Sequence, residues 1–240
     1  MTRRRIAVLS LAAACLLGGA PVLAAAPGSP IMLTSDISRT VLVLTSLSLI
    51  PAILIGMTSF IRIVVVLAMI RHAFGMPETP PNAVILSLAL FLTAFSMAPT
   101  FEQVNERAVK PVLAGQIGVE QAMEAGSGPF RDFMLSQTRD SDIESIYAIS
   151  DTPLPSRPEE VSILKLAPAF MLNELRVSFT IGFVVLLPFL LIDLVVSSIL
   201  LSLGMMMVPP STISLPVKLL MFVLIDGWRL VIEGVLGSFG

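Results

Sequence analysis

From Val177 to Val217 the chain carries one charge, Asp193, in an otherwise apolar or uncharged run. About 20 helical residues cross the hydrocarbon core of a bilayer, so this run is too long for one simple span. It has to turn back, and the composition says where. Gly204 allows an unusual backbone angle, Met205, Met206 and Met207 follow it, and Pro209 and Pro210 lock φ and remove two backbone donors. The break is therefore expected between Gly204 and Pro216, with Pro188 kinking the first arm and Lys218 to Phe239 forming the return helix. On that last helix Arg229 and Glu233 are spaced i,i+4 and share a face.

A second apolar region reads the same way. Val41 to Ile70 is long enough to span, with Pro51 kinking it or starting its helical part, and Arg62 as its one costly charge. "FGMPETPPN", residues 74–82, is a turn, and Ala83 to Ala98 is a shorter apolar run between Pro81 and Pro99. Residues 41–101 thus predict one hydrophobic helical hairpin, and residues 177–240 a second one with a Met-rich loop. Between them, residues 102–176 hold 19 of the chain's 32 charged residues. They predict a polar, partly helical domain outside the membrane, with Phe130, Phe133, Met134 and Gln137 at helical spacing. The expected fold class is all-α and membrane-associated, two hairpins separated by a polar extracytoplasmic domain.

The N-terminus has the layout of a secretory signal: Arg3 to Arg5, an apolar stretch from Ile6 to Gly19, then small residues, with Val22 and Ala24 fitting a cleavage site. Residues 1–24 are expected to be removed, leaving residues 25–40 as an N-terminal extracytoplasmic segment. N-terminal sequencing of the membrane-extracted protein should begin at Ala25; recovery of Met1 means an uncleaved anchor helix, and a lipid on Cys15 a lipoprotein. Cleavage would take the net charge from −2 to −5 and remove Cys15, the only cysteine, and with it any disulfide. The sequence contains 55% hydrophobic and 13% charged residues, against about 25% charged in a soluble domain. That composition favours lipid or a largely buried assembly and gives no hint of nucleic acid. One histidine leaves little material for a metal site, and no Gly-rich nucleotide loop, HExxH or GxSxG is present. An enzyme, a metal and a cofactor are not expected.

Three groups of residues are candidates for function. Three successive methionines on a turn point in different directions and cannot all pack on one helix face. A non-helical stretch at membrane depth is tolerated only against protein or a water-filled cavity. Methionine is unbranched and polarisable and moulds to irregular surfaces, so Met205, Met206 and Met207 are candidates for a pore gate framed by Gly204, Pro209 and Pro210. In an antiparallel hairpin, residues equidistant from the turn lie at one depth, and the midpoint of residues 193 and 218 falls between Met205 and Met206. Asp193 and Lys218 are thus expected to form a structural ion pair, within or between subunits, with a proton-relay role for Asp193 as the alternative. Arg62 is a buried charge expected to face protein, carbonyls or a carboxylate; His72 and Trp228 read as interfacial.

The stretches "MTSFIRIVVVLAMIR", "PPNAVILSLALFLTAFSMAP", "FRDFMLSQTRDSD", "APAFMLNELRVSFTIGF" and "PFLLIDLVVSSILLSLGMMMVPPSTISLPVKLLMFVLIDGW" resemble the FliP family, from about Val41 to Gly240. Asn173 departs from it, where the family more often has a small hydroxyl residue. The resemblance implies a core subunit of the flagellar type III protein export gate. It implies assembly as a pentamer with FliQ-like and FliR-like subunits, into a helical channel at the inner membrane that passes unfolded flagellar proteins. A polar domain on the periplasmic side and a Met-loop seal go with it. An injectisome paralogue is the near alternative, disfavoured by the signal peptide; a secondary ion or solute transporter using Asp193 and Arg62 is a more distant one.

Overall fold

The computed structural model describes residues 55–239, except 76 and 77, together with four upstream positions, Val41, Leu44, Thr45 and Ser48. The expected signal peptide, the 25–40 segment and Pro51 lie outside the described residues. The chain divides into two units, residues 1–49 and 50–240. In the first, the four described residues are helical, and Ser48 donates to the Thr45 carbonyl at 2.8 Å. Everything below concerns the second.

All regular structure among the described residues is helical. The helices are α1 (Phe60–Ala73), α2 (Asn82–Ser96), α3 (Ala98–Val104), α4 (Lys110–Leu113), α5 (Val119–Gln137), α6 (Asp140–Ile149), α7 (Ile163–Ser202), α8 (Pro210–Leu224) and α9 (Gly227–Gly237). A single π turn, Asn105–Val109, joins α3 to α4, and the axis bends by 61° between α2 and the helical stretch Ala98–Leu113. Pro99 sits in the first turn of α3, where its missing N–H costs nothing.

The helix α7 organises the rest. Its middle, from Glu174 to Phe189, packs on α1, whose Ile63, Val66, Leu67 and Ile70 recur at helical spacing and are buried. They form one core with Ile85 and Ala89 of α2, Phe189 of α7, Phe222 of α8, and Val231 and Val235 of α9. Phe74, just past α1, meets Phe189 and Phe222 edge-on at 5.3 and 4.9 Å. The N-terminal half of α7 builds a second core: Leu166, Ala169 and Phe170 pack with Met134 of α5 and Ile143 and Tyr147 of α6. Full burial of a side chain such as Phe170 contributes roughly 1.5–3 kcal/mol. Helices α1 and α7 approach closely at Gly182, where a Cβ would lie 2.3 Å from the Met69 sulfur.

Two boundaries differ from the sequence reading. The break after α7 is confined to residues 203–209, and Pro216 lies inside α8 instead of ending the turn. The helix start is set by Pro210, whose fixed φ and missing N–H suit a first turn. The region from Lys218 to Phe239 is not one helix. It breaks at Asp226, which adopts the left-handed conformation with φ 52° and ψ 51°. Gly227 then lets the Phe222 ring pass where a Cβ would be 2.2 Å away. A glycine flanked by two charged-or-bulky neighbours in an apolar helix was the signal for this break. The 40-residue α7 also runs across the change in composition at residue 176 without interruption.

The helix α7 is the one single described helix long and apolar enough to cross a membrane; counting the bent pair α2 with Ala98–Leu113 as one span gives a second. Its most apolar window is largely exposed, with Phe179, Phe183, Leu187, Leu191 and Leu194 facing outward. Large apolar patches of this kind mark surfaces for lipid or other proteins.

Candidate functional site

The end of α7 is closed by a hydrogen-bonded turn. Gly204 has φ 74° and donates to the Leu201 carbonyl at 3.1 Å, while Met205 N–H reaches the Leu200 carbonyl at 2.9 Å. This pair of bonds is the Schellman pattern, which satisfies carbonyls a helix end leaves unpaired. Val208 N–H then returns to the Met205 carbonyl at 3.4 Å, and Pro209, at φ −66°, leads into α8. The three methionines project from this turn, Met205 43%, Met206 80% and Met207 96% exposed. The backbone is fixed while the thioether chains are free. Gly204→Val should therefore destabilise the turn by about 1–2 kcal/mol, the cost of a β-carbon in left-handed geometry. Gly204→Asn, which tolerates that region better, should recover part of the loss in thermal unfolding of the detergent-extracted protein; equal stability of both variants and the parent would remove the turn from any structural role.

Beyond the turn the structure brings Asp193 and Lys218 together in one chain. Lys218 Nζ donates to Asp193 Oδ2 at 2.6 Å and to the Ala73 carbonyl at 3.2 Å. It therefore links α8 to α7 and to the end of α1. The pair borders a cavity of about 550 Å³ shared with His72, Phe189 and Ser214. The two partners are unequally buried: the Lys218 side chain is 7% exposed and that of Asp193 40%. That asymmetry sets the outcome of single substitutions. Asp193→Ala strands a buried ammonium with one carbonyl for company and should cost about 2–3 kcal/mol; Lys218→Ala leaves a carboxylate that water can reach and should cost under about 1 kcal/mol. The amount of assembled complex recovered from membranes measures both. The swapped pair, Asp193→Lys with Lys218→Asp, should recover part of the loss, and equal behaviour of the two single variants would contradict the asymmetry.

Arg62 is the most connected side chain in the molecule's interior, with 1% of its surface exposed. Its Nε donates to Glu174 Oε2 at 2.8 Å and its Nη2 to Glu174 Oε1, a two-pronged pair with a carboxylate that is itself fully buried. Nη1 donates to the carbonyl and the hydroxyl of Ser238 at 2.7 and 3.0 Å, and Nη2 also reaches Gln137 Oε1 at 3.2 Å. The Phe239 ring lies 3.9 Å beneath the guanidinium. All five N–H donors are used. Asn173, beside Glu174, donates to the Gln137 carbonyl, and its other amide atom Oδ1 is buried with no partner. A smaller hydroxyl residue there would leave no such orphan.

Glu174, Ser238 and Phe239 escaped the sequence reading, and Gln137 entered it only as part of a helical face, not as a partner of Arg62. Glu174 lies in a stretch counted as polar and extracytoplasmic, so its burial raised no alarm; the only available signal was that a buried arginine needs a carboxylate. Arg229 and Glu233 pair at 2.7 Å on the exposed face of α9, apart from the groups above. Trp228 meets Phe222 edge-on at 5.4 Å. Among the described residues, no three His, Cys, Asp or Glu side chains gather as a metal site requires.

These features define an all-helical protein with an apolar exterior, internal ion pairs and a stiff turn bearing three methionines. The sequence pattern of the FliP family matches residues 43–235, and the chain belongs to that family. Among its relatives are proteins named flagellar biosynthetic protein FliP. That of Caulobacter vibrioides is 47% identical over 98% of this chain and 91% of its own length. That of Pectobacterium carotovorum is 50% identical over 84% of this chain and 78% of its own. That of Bacillus subtilis is 42% identical over 85% and 93%.

Proposed function

We propose that this chain is a pore-forming core subunit of the flagellar type III export gate, passing unfolded flagellar proteins across the bacterial inner membrane. The observation that carries the reading is the turn after α7. Three soft side chains, two of them largely exposed, stand on a turn that already bonds the Leu200 and Leu201 carbonyls at the helix end, which suits a ring of contacts that must seal and yet deform. Family membership and the flagellar naming of the relatives support the flagellar branch over an injectisome paralogue. On this reading several copies, a pentamer together with FliQ-like and FliR-like subunits, converge so that Met205, Met206 and Met207 of each copy meet. The outward apolar faces of α2, α7 and α8 then lie against neighbours or lipid. The two hydrophobic hairpins flank a polar domain on the periplasmic side.

Mass measurement of the detergent-extracted complex tests the assembly. The expected result is a mass of five copies of this chain plus smaller partners. A single chain in detergent that transports a small solute after reconstitution would instead make it a transporter and overturn the proposal.

A further inference from the structure

The helix α9 and the two residues after it lie between parts of the molecule that are otherwise only indirectly connected. At its start, Gly227 admits the Phe222 ring of α8, and Trp228 stacks edge-on against the same ring. Along its length, Val231 and Val235 sit in the core built by α1 and α7. At its end, Ser238 receives two hydrogen bonds from Arg62. Phe239 lies under the Arg62 guanidinium, and its carbonyl accepts from Gln137 Nε2 at 3.3 Å. Its ring also lies 6.4 Å from that of Phe133 on α5. One short segment thus touches α8 at one end and α5 at the other.

We infer that α9 with Ser238 and Phe239 is a tie that fixes α8, the helix leading out of the Met-bearing turn, relative to α5 in the polar region. Its outer face is exposed, and Arg229 and Glu233 there bond only to each other, so its attachment rests on the two apolar side chains and on the polar anchor at its end. The anchor is strong for a physical reason. Arg62 is buried beneath half-buried Ser238 and Phe239, so detaching the end gives up two hydrogen bonds from a charged group and the ring contact over it. Removing the anchor leaves α8 and α5 related only through their separate packing on α7, so the spacing between them widens while the direct contact of α1 with α7 stays intact. The inference concerns the single chain and stands whether or not the chain lines a channel.

Distances between paired nitroxide labels test it, in the full-length protein extracted from membranes with Cys15 replaced by Ser. One pair is placed at exposed Glu124 of α5 and Leu220 of α8, and a control pair at His72 and Leu191, on α1 and α7. Ser238→Ala with Phe239→Ala should broaden the α5–α8 distance distribution roughly twofold, as for a locally released element, and leave the control unchanged. Ser238→Thr with Phe239→Tyr keeps the hydroxyl and the ring and should restore the narrow distribution. Truncation after Gly237 should broaden it further; broadening in the truncation alone assigns the tie to the two backbone carbonyls and also supports it. Unchanged α5–α8 widths in both variants would overturn the inference. So would equal broadening of the control pair, which would reduce α9 to a contributor to general stability.

Discussion

Arg62→Ala should lower the stability of the extracted protein by roughly 3–5 kcal/mol, the usual cost of breaking a buried pair by deleting one partner. A single domain has only about 5–15 kcal/mol in total, so much of the protein should be lost from the membrane fraction. The deletion leaves the Glu174 carboxylate buried without its cation, and the Ser238 hydroxyl and Gln137 amide without their donor. Arg62→Lys should restore little. One ammonium cannot present the planar fork that reaches Glu174, Ser238 and Gln137 at once. Removing both charges, Arg62→Met with Glu174→Leu, should be milder than Arg62→Ala, because no uncompensated ion remains. Thermal unfolding in detergent and protease resistance report the order. A single-mutant loss below about 1 kcal/mol, ordinary for a surface position, would mean that the cluster contributes little.

On the export-gate proposal, replacing Met205, Met206 and Met207 together by Ala should leave assembly intact and make the gate leak. Met206 and Met207 are largely exposed and none of the three belongs to either core, so their removal takes nothing from the cores. The turn that carries them is held by Leu200 and Leu201 carbonyls and by the Gly204 conformation, none of which involves a methionine side chain. If the methionines close a channel, three Ala per copy empty the constriction, and ion conductance across membranes carrying the complete gate should rise by at least about tenfold; each fully removed barrier of about 1.4 kcal/mol corresponds to that factor. Three Leu keep the volume, so they should seal nearly as well. Export should slow, because a γ-branched chain adapts less readily than a thioether. An Ala triple variant that assembles and stays as ion-tight as the parent would return the methionines to exposed apolar residues without a sealing role.

What could be read from the residues was whatever is written in local order. The helical class followed from apolar periodicity, and the turn near Gly204 from a Gly followed by two prolines. Asp193 and Lys218 could be related because both are counted from one turn, so sequence distance converts to depth. Arg62 and Glu174 could not. They are joined across two helices separated by more than a hundred residues, and nothing in either neighbourhood names the other. The break at Asp226 was missed for another reason. Asp226 and Gly227 stand within a run that otherwise reads as one helix, but the Phe222 ring five residues earlier packs where a Cβ at Gly227 would lie, and Asp226 turns left-handed there. Composition placed a boundary at residue 176 because charges thin out there, but backbone hydrogen bonding is indifferent to that change, and α7 continues through it.

The unbroken length of α7 carries a consequence for where such a chain can sit. At about 1.5 Å per residue, a helix of 40 residues is a rod about 60 Å long, twice the roughly 30 Å of bilayer hydrocarbon. An upright rod cannot be wetted by lipid along its whole length. About half of it has to stand clear of the acyl chains, and its outward Phe and Leu side chains there need cover from protein, because water will not supply it. Lys165, Glu174, Arg176 and Asp193 divide the rod in unequal parts, and the stretch between the last two is its longest uncharged portion, somewhat shorter than the hydrocarbon is thick. Water-soluble thiol reagents applied to single cysteines walked along residues 163–202 would trace the waterline on the rod. A protected zone longer than the bilayer would measure how far neighbouring protein covers the apolar surface outside the membrane.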